Sequence, residues 1–306
     1  MIVLRSVALV FALALMAAPA VARIDDFPPG FVLPSPQQKA VGALLAEATD
    51  AGDPIEAIVL DGVRHAYEAR DFDLIWLTDR NARPQMVELR SMMDQASVYG
   101  LDPASYPTPD LAPSYPDDVQ RLAQADVEFS RAVGRFVTHI SSGRIQPTVI
   151  SKLITLEPER PDIGEALVRL SRSTAIAADL RSFEPSHRDY RALKSELARL
   201  RALPGEPERI IVPEGDLLKP GKSDDRVPLL RTRLGVSIAA DAEPNVYDDA
   251  LVEAVEAAQA EAGLNADGVV GPQTLGVLNG RSREEEIASV IANLERWRWM
   301  PRDLGA

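Results

Sequence analysis

Asp53-Pro54-Ile55-Glu56 sets the rule that most of this chain obeys. A short acid at the cap position, a proline at the first helical position and a glutamate in the first turn together fix the start of a helix. Ile55, Ile58, Val59, Val63, Ala66 and Tyr67 then fall on one face at helical spacing. The same grammar returns along the chain. Leu122, Phe129, Val133, Phe136, Val137 and Ile140 form a stripe with Gly143 as its stop. Asp162 and Glu165 open another helix, and Ser186 is expected to cap one whose stripe is Tyr190, Leu193, Leu197 and Leu200. Asp25 to Pro36 is proline-rich and reads as extended, and Leu101 to Pro116 carries too many prolines for a long helix. The expected fold is therefore mainly α: a helical domain, then a small three-helix domain and a final helix.

The second half divides in the same way. Leu203-Pro204-Gly205 ends the first domain, a short β-like run follows from Arg209 to Val212, and polar Lys219 to Arg226 reads as a linker. Three short helices are expected next. The first is Val227 to Leu234. The second is Asp248 to Ala262, ended by Gly263, with Leu251, Val255, Ala258 and Ala262 facing inward. The third runs from Pro272 to Asn279-Gly280, after a tight turn at Asp267-Gly268. Ser282-Arg283-Glu284-Glu285 is a capping box for the last helix, with the stripe Ile287, Val290, Ile291, Leu294 and Trp297. The boundaries are 1–22 for a signal peptide, 23–205 for the helical domain, 206–226 for the linker, 227–280 for the three-helix domain and 281–306 for the terminal helix.

Composition limits the partners. A chain of 306 residues with 46% hydrophobic and 26% charged residues has material for about two cored domains. A formal net charge of −13 excludes a nucleic-acid partner and argues against an anionic membrane surface, since no basic stripe is left to neutralise phosphates. Arg5, the apolar run Val7 to Ala18, and the small-x-small sites Ala18-Pro19-Ala20 and Ala20-Val21-Ala22 read as a secretory signal. The run is short for a membrane span, so no stable insertion is expected once it is cut; an uncleaved anchor is the alternative. The expected location is the periplasm. The chain has no cysteine, which removes disulfides, thiolate metal sites and any thiol nucleophile.

Other catalytic constellations are weak. His65, His139 and His187 lie far apart and in no metal-ligand spacing. Asp71 and Asp73 share a face of a short extended segment and form a conceivable acid/base pair, but solvated acids at a helix end explain them as well. No serine sits in a G-x-S-x-G or S-x-x-K pattern. No catalytic residue, metal or cofactor is expected.

One stretch is more specific. Gln259, Ala262-Gly263-Leu264, Asp267-Gly268-Val269-Val270-Gly271-Pro272, Thr274-Leu275 and Leu278-Asn279 stand in an order that resembles a peptidoglycan-binding domain of cell-wall enzymes. That family usually has an aromatic residue before the glutamine, where this chain has Ala258 and so a smaller core. The flanking motifs YEARDFDLIWL (67–77), YGLDPASY (99–106), ISSGRIQP (140–147), LLKPGKSDDRVPLLRTRL (217–234) and NLERWRWMPRDLG (293–305) resemble the large periplasmic YcbB-like L,D-transpeptidases.

The resemblance implies a scaffold domain, a peptidoglycan-binding domain and, after the tryptophan motif, a YkuD-type catalytic domain with a cysteine nucleophile. It also implies peptidoglycan as partner, with other cell-envelope proteins as further candidates. Tyr247, Gln259, Asp267, Gly268, Val269, Gly271 and Thr274 become candidate peptidoglycan-binding residues, and Trp297 and Trp299 candidates for packing at a domain interface. Both tryptophans belonging to the core of this chain alone is the other reading. With no cysteine to be acylated, the chain is expected to be inactive by itself: the non-catalytic N-terminal part of such an enzyme, cut short of its catalytic domain. Two alternatives remain at this point, a stand-alone cell-wall-binding adaptor and a hydrolase working through carboxylates such as Asp71 and Asp73.

Overall fold

A computed structural model describes residues 33–78, 81–110, 118–205, 209–239 and 243–304. The signal-like segment lies outside them, as do most of the tail of the proline-rich loop and the end of the chain. Among the described residues there are twelve α-helices, and the only strands are an antiparallel pair of two residues each. The protein is mainly α.

The larger body is built around α4 (Val119–Ser142), which Asp118 starts by accepting from the N–H groups of Gln120 and Arg121. Its apolar stripe is buried as expected, but so are Asp126, Ser130, Thr138, His139, Ser141 and Ser142, because neighbours surround it on several sides. Those neighbours are α1 (Pro36–Glu47), α2 (Pro54–Glu68), α6 (Ile163–Ser171) and α7 (Ile176–Phe183). Helix α1 starts at a capping box in which Ser35 and Gln38 exchange bonds, an S-x-x-Q signal at the end of the stretch expected to be extended. Helix α2 starts at Asp53 as expected, with Ile55, Val59, Val63, Ala66 and Tyr67 buried. It approaches α6 closely: a Cβ on Gly62 would lie 2.5 Å from the Cβ of Ile163. Strands β1 (Leu77–Thr78) and β2 (Asn81–Ala82) pair Leu77 with Ala82 and lead into α3 (Pro84–Asp94). The one-turn α5 is Pro147–Ile150.

Helix α8 (Arg188–Ala202) differs at its start. His187, not Ser186, occupies the cap position, and no side chain caps the helix; the carbonyl of Ser186 instead accepts from the Arg191 guanidinium.

The three-helix unit comprises α9 (Val227–Leu234), α10 (Asp249–Glu261) and α11 (Pro272–Asn279), close to the expected limits. Its core holds Leu251 and Val255, but Ala262 is exposed and Ala258 half-buried; Gln259 takes the third inward position. The run Arg209–Val212 is not a strand, yet Val212 is fully buried in this core. The Asn279 amide closes the unit by bonding both backbone groups of Val212, each at 2.9 Å. The polar stretch expected as a linker is likewise built in: Leu218 and Val270 exchange backbone bonds, and Ser223 bridges Val246.

Helix α12 (Arg283–Trp299) starts at the expected capping box of Ser282 and Glu285. It returns to the larger body and packs along α8, burying Val290 and Leu294 with Tyr190, Leu197 and Leu200. The Arg283 guanidinium reaches the carbonyls of Leu203 at 3.2 Å and Pro204 at 2.5 Å. The two ends of the three-helix unit therefore lie side by side, so the unit is an insertion between two helices that pack on each other.

Candidate functional site

In the three-helix unit the motif residues form one polar hub. Helical spacing from Leu251 and Val255 aims Gln259 inward, and burial of its amide requires partners for both ends. The Gln259 Nε2 donates to Asp267 Oδ1 at 3.1 Å, to the Val269 carbonyl at 3.0 Å and to Thr274 Oγ1 at 3.1 Å. Its Oε1 accepts from Gly268 N at 2.9 Å. Tyr247 is buried, and its hydroxyl donates to the Gly268 carbonyl at 2.6 Å. Gly268 turns at φ +68°, the left-handed conformation that the Asp-Gly pair signals. The Val269 N–H and then the Gln259 amide hold the exposed Asp267 carboxyl below its usual range.

Six of the seven candidate residues are thus brought together, and Gly271 follows at the cap of α11. The polar groups of Tyr247, Gln259 and Thr274 are spent on the loop itself; Asp267, Val269 and Gly271 remain partly or fully open to solvent. A separate cleft of about 390 Å³ lies beside α9, lined by residues including Pro228, Arg231, Thr232, Val236 and Ile238. None of its lining residues was in the expected set.

The tryptophan motif forms a second constellation. Glu295 is buried, and its Oε1 accepts from the backbone of Arg144 at 2.5 Å and Ile145 at 3.0 Å. Its Oε2 lies 3.2 Å from Arg298, whose guanidinium also donates to the Tyr99 carbonyl at 2.5 Å. Trp299 is buried against Gly143, where φ is +88° and an added Cβ would lie 2.6 Å from Glu295 Oε1 and 2.8 Å from Trp299 Nε1. Only glycine fits there. Trp297 is less buried and packs at a tilt against His187, with ring centroids 5.1 Å apart. His187 in turn bonds the Pro301 carbonyl at 2.9 Å. Three of the sequence motifs, around Tyr99, Gly143 and Trp299, therefore meet at the end of α12. The apolar stripe pointed to Trp297, but Glu295, Arg298 and Trp299 make the tighter contacts, on the adjoining face of the helix.

Comparison with known families finds two matches. Residues 61–197 match the family described as "Scaffold domain", and residues 232–278 match the one described as "Putative peptidoglycan binding domain". The chain carries both domains. No curated protein matches the chain. The scaffold match ends within α8, and α12 lies beyond both matches although it packs on that helix.

Within the scaffold domain the YEARDFDLIWL motif (67–77) has a structural role centred on Asp126 of α4. The Asp126 carboxylate, fully buried, accepts from Tyr67 Oη at 2.5 Å and from the backbone of Ile75, Trp76 and Leu77 at 2.8, 2.8 and 2.9 Å. Burial raises its pKa while those donors pull it down. Asp71 and Asp73 are exposed on the same segment, and Asp73 accepts from Gln38 at 3.0 Å. His65 is exposed. His139 is buried with Nδ1 2.8 Å from the Tyr106 hydroxyl; burial, then the charges of Arg135, Arg144 and Arg298, push its pKa down to about 3. The three histidines are not brought together with one another, and among the described residues no group of acids and histidines is arranged to hold a metal. No described helix is long and apolar enough to cross a membrane.

Proposed function

We propose that the chain is the scaffold and peptidoglycan-binding part of an L,D-transpeptidase, exported to the periplasm, where it positions the enzyme on the cell wall for cross-linking. The observation that carries this reading is the junction at the end of α12. The motifs that resemble that enzyme family are distant in sequence, yet Glu295, Arg298 and Trp299 join the backbones of Tyr99 and Gly143–Ile145. The role of this polypeptide is targeting: without a cysteine it forms no acyl-enzyme. The peptidoglycan-binding domain holds the wall weakly, with a Kd of tens to hundreds of micromolar, about −5 to −6 kcal/mol, since an acidic chain gains no long-range attraction to an anionic wall.

A pull-down with purified sacculi tests this, comparing the mature chain with one in which residues 206–281 are replaced by a short Gly/Ser linker. The adjacent ends of the insertion allow that excision. Retention should fall on excision, and equal retention would reduce the unit to a spacer. Export predicts that periplasmic material begins between Val21 and Ile24 on N-terminal sequencing, and recovery of intact Met1 in the cytosol would contradict it.

The stand-alone adaptor reading draws on the same junction, since Trp299 is buried against Gly143 of its own chain. Gene sequence beyond the Ala306 codon separates the two: an in-frame YkuD-type domain supports the enzyme, and an immediate stop codon the adaptor.

A further inference from the structure

The chain is strongly acidic, with a formal net charge of −13, yet one cleft reverses the sign. It has a volume of about 810 Å³ and lies among residues 159–161, the end of α7, the first turns of α8 and the segment after α12. Arg160, Arg181, Arg191, Lys194 and Arg302 line it, against only two carboxylates, Glu159 and Glu184.

Some of these groups form a fixed floor. Buried Glu184 pairs with Lys194 at 2.6 Å, and Arg302 donates to the carbonyl of Phe183 at 2.5 Å and to that of Glu184. Arg191 donates to the Ser186 carbonyl. Helix α8 begins at the rim without a side-chain cap, so its first N–H groups add partial positive charge there.

Arg160 and Arg181 are different. Among the described residues, neither guanidinium has a hydrogen-bond or ion-pair partner. Several other arginines are paired with carboxylates: Arg131 and Arg135 with Glu56, Arg169 with Asp179, Arg226 with Asp224. In a chain with an excess of acids, two unpaired guanidiniums over a floor of further cations keep a site of positive potential. Guanidiniums recognise planar oxyanions through paired N–H groups.

We propose that this cleft is an anion-binding subsite of the scaffold domain, in which Arg160 and Arg181 take the carboxylates of a short acidic peptide. The identification of that peptide as the peptidoglycan stem rests on the proposed function; the preference for a carboxylate-bearing peptide is tested independently of it. The subsite would give the scaffold a grip on the wall polymer separate from that of the three-helix unit.

Isothermal titration of the mature chain with three probes decides the matter. These are a soluble disaccharide-tetrapeptide with free carboxylates, the same compound with its carboxylates amidated, and inorganic phosphate. Each is titrated into the wild type and the Arg160→Gln/Arg181→Gln protein, with melting curves run in parallel. The free muropeptide should bind about tenfold or more weaker to the double variant, at unchanged melting temperature, and amidation should weaken wild-type binding similarly. Equal affinity for the two proteins, equal affinity for the free and amidated compounds, or no binding at all would overturn the proposal. Phosphate binding tighter than the muropeptide would overturn the assignment to carboxylates. Because sacculus retention is tested by excision of the three-helix unit, a failure of that reading leaves the arginine dependence intact, and the reverse also holds.

Discussion

Two polar side chains sit in two cores of this protein, and each pins a loop. Asp126 is buried in the core of the scaffold domain, and Gln259 in the smaller core of the peptidoglycan-binding domain. The segment Ile75–Leu77 and the Tyr67 hydroxyl offer only donors to Asp126, and an acceptor-only carboxylate matches them. The loop from Asp267 to Thr274 offers an N–H at Gly268, together with a carbonyl, a hydroxyl and a carboxylate. An amide, which both donates and accepts, matches that set. The character of the partners, not the size of the core, decides which residue is buried. The cost follows: a buried charge relies on every one of its donors, while a neutral amide risks less when one partner is lost.

That comparison is broken or sharpened first by Asp126→Ala. Four donors lose their acceptor, and the scaffold domain should be destabilised by about 3–5 kcal/mol in urea unfolding. A loss under about 1 kcal/mol would show that the segment does not depend on the carboxylate.

The next effect separates the two regions by pH. The folded pKa of His139 is pushed down to about 3, against roughly 6.5 when unfolded. A base depressed in this way contributes stability that is complete above the unfolded value and is lost as pH falls toward the folded one. In the peptidoglycan-binding domain, Asp267 and Asp248 are held low, by the Val269 N–H first and by Arg231 first respectively. Their contribution is lost only as pH drops below the ordinary carboxylate value of about 4. The scaffold should therefore weaken from about pH 6 downward, by a few kcal/mol at most, and the smaller domain only later. All three tryptophans lie outside the smaller domain, so tryptophan fluorescence reports the scaffold. His139→Gln should flatten its stability between pH 6 and 4. Asp126, raised by burial, acts in the opposite direction in both proteins, so the difference between them isolates His139. An unchanged slope would mean that His139 is charged in the folded state.

Gln259→Leu keeps the shape and removes the hub. The expected loss is about 2–3 kcal/mol, confined to the peptidoglycan-binding domain and read as faster amide exchange at Gly268 with no change in the tryptophan transition. A loss as large as that of Asp126→Ala would erase the distinction between charged and neutral hubs. The smallest effect is expected at the surface: Asp71→Asn with Asp73→Asn should shift stability by less than about 0.5 kcal/mol. Neither this variant nor the wild type should release muropeptides from sacculi, and release by the wild type that the variant loses would revive the hydrolase reading.

The sequence by itself determined most of the helices that begin at a side-chain cap. The caps expected at Asp53, Asp162, Asp248 and Ser282 are local events, settled by a side chain within reach of the next turn, and Asp118 caps α4 in the same way. The Asp-Gly turn at 267–268 is local too, as is the Gly-Pro start of α11. Local signals were also present where they went unread: Ser35 and Gln38 cap α1, and Asp126 fills the gap in the α4 stripe between Leu122 and Phe129.

Only the tertiary structure decided what meets at the ends of those helices. Glu295 and Arg298 lie off the apolar stripe, and nothing nearby in the chain indicates that their partners are Tyr99, Arg144 and Ile145. Nor does periodicity show that Val212 and Leu218 join the core of the smaller domain, or that α12 returns to α8 across an inserted unit. Periodicity records which face of a helix avoids water. Which distant segment covers that face, and which buried charges find partners there, is set by packing across the whole chain.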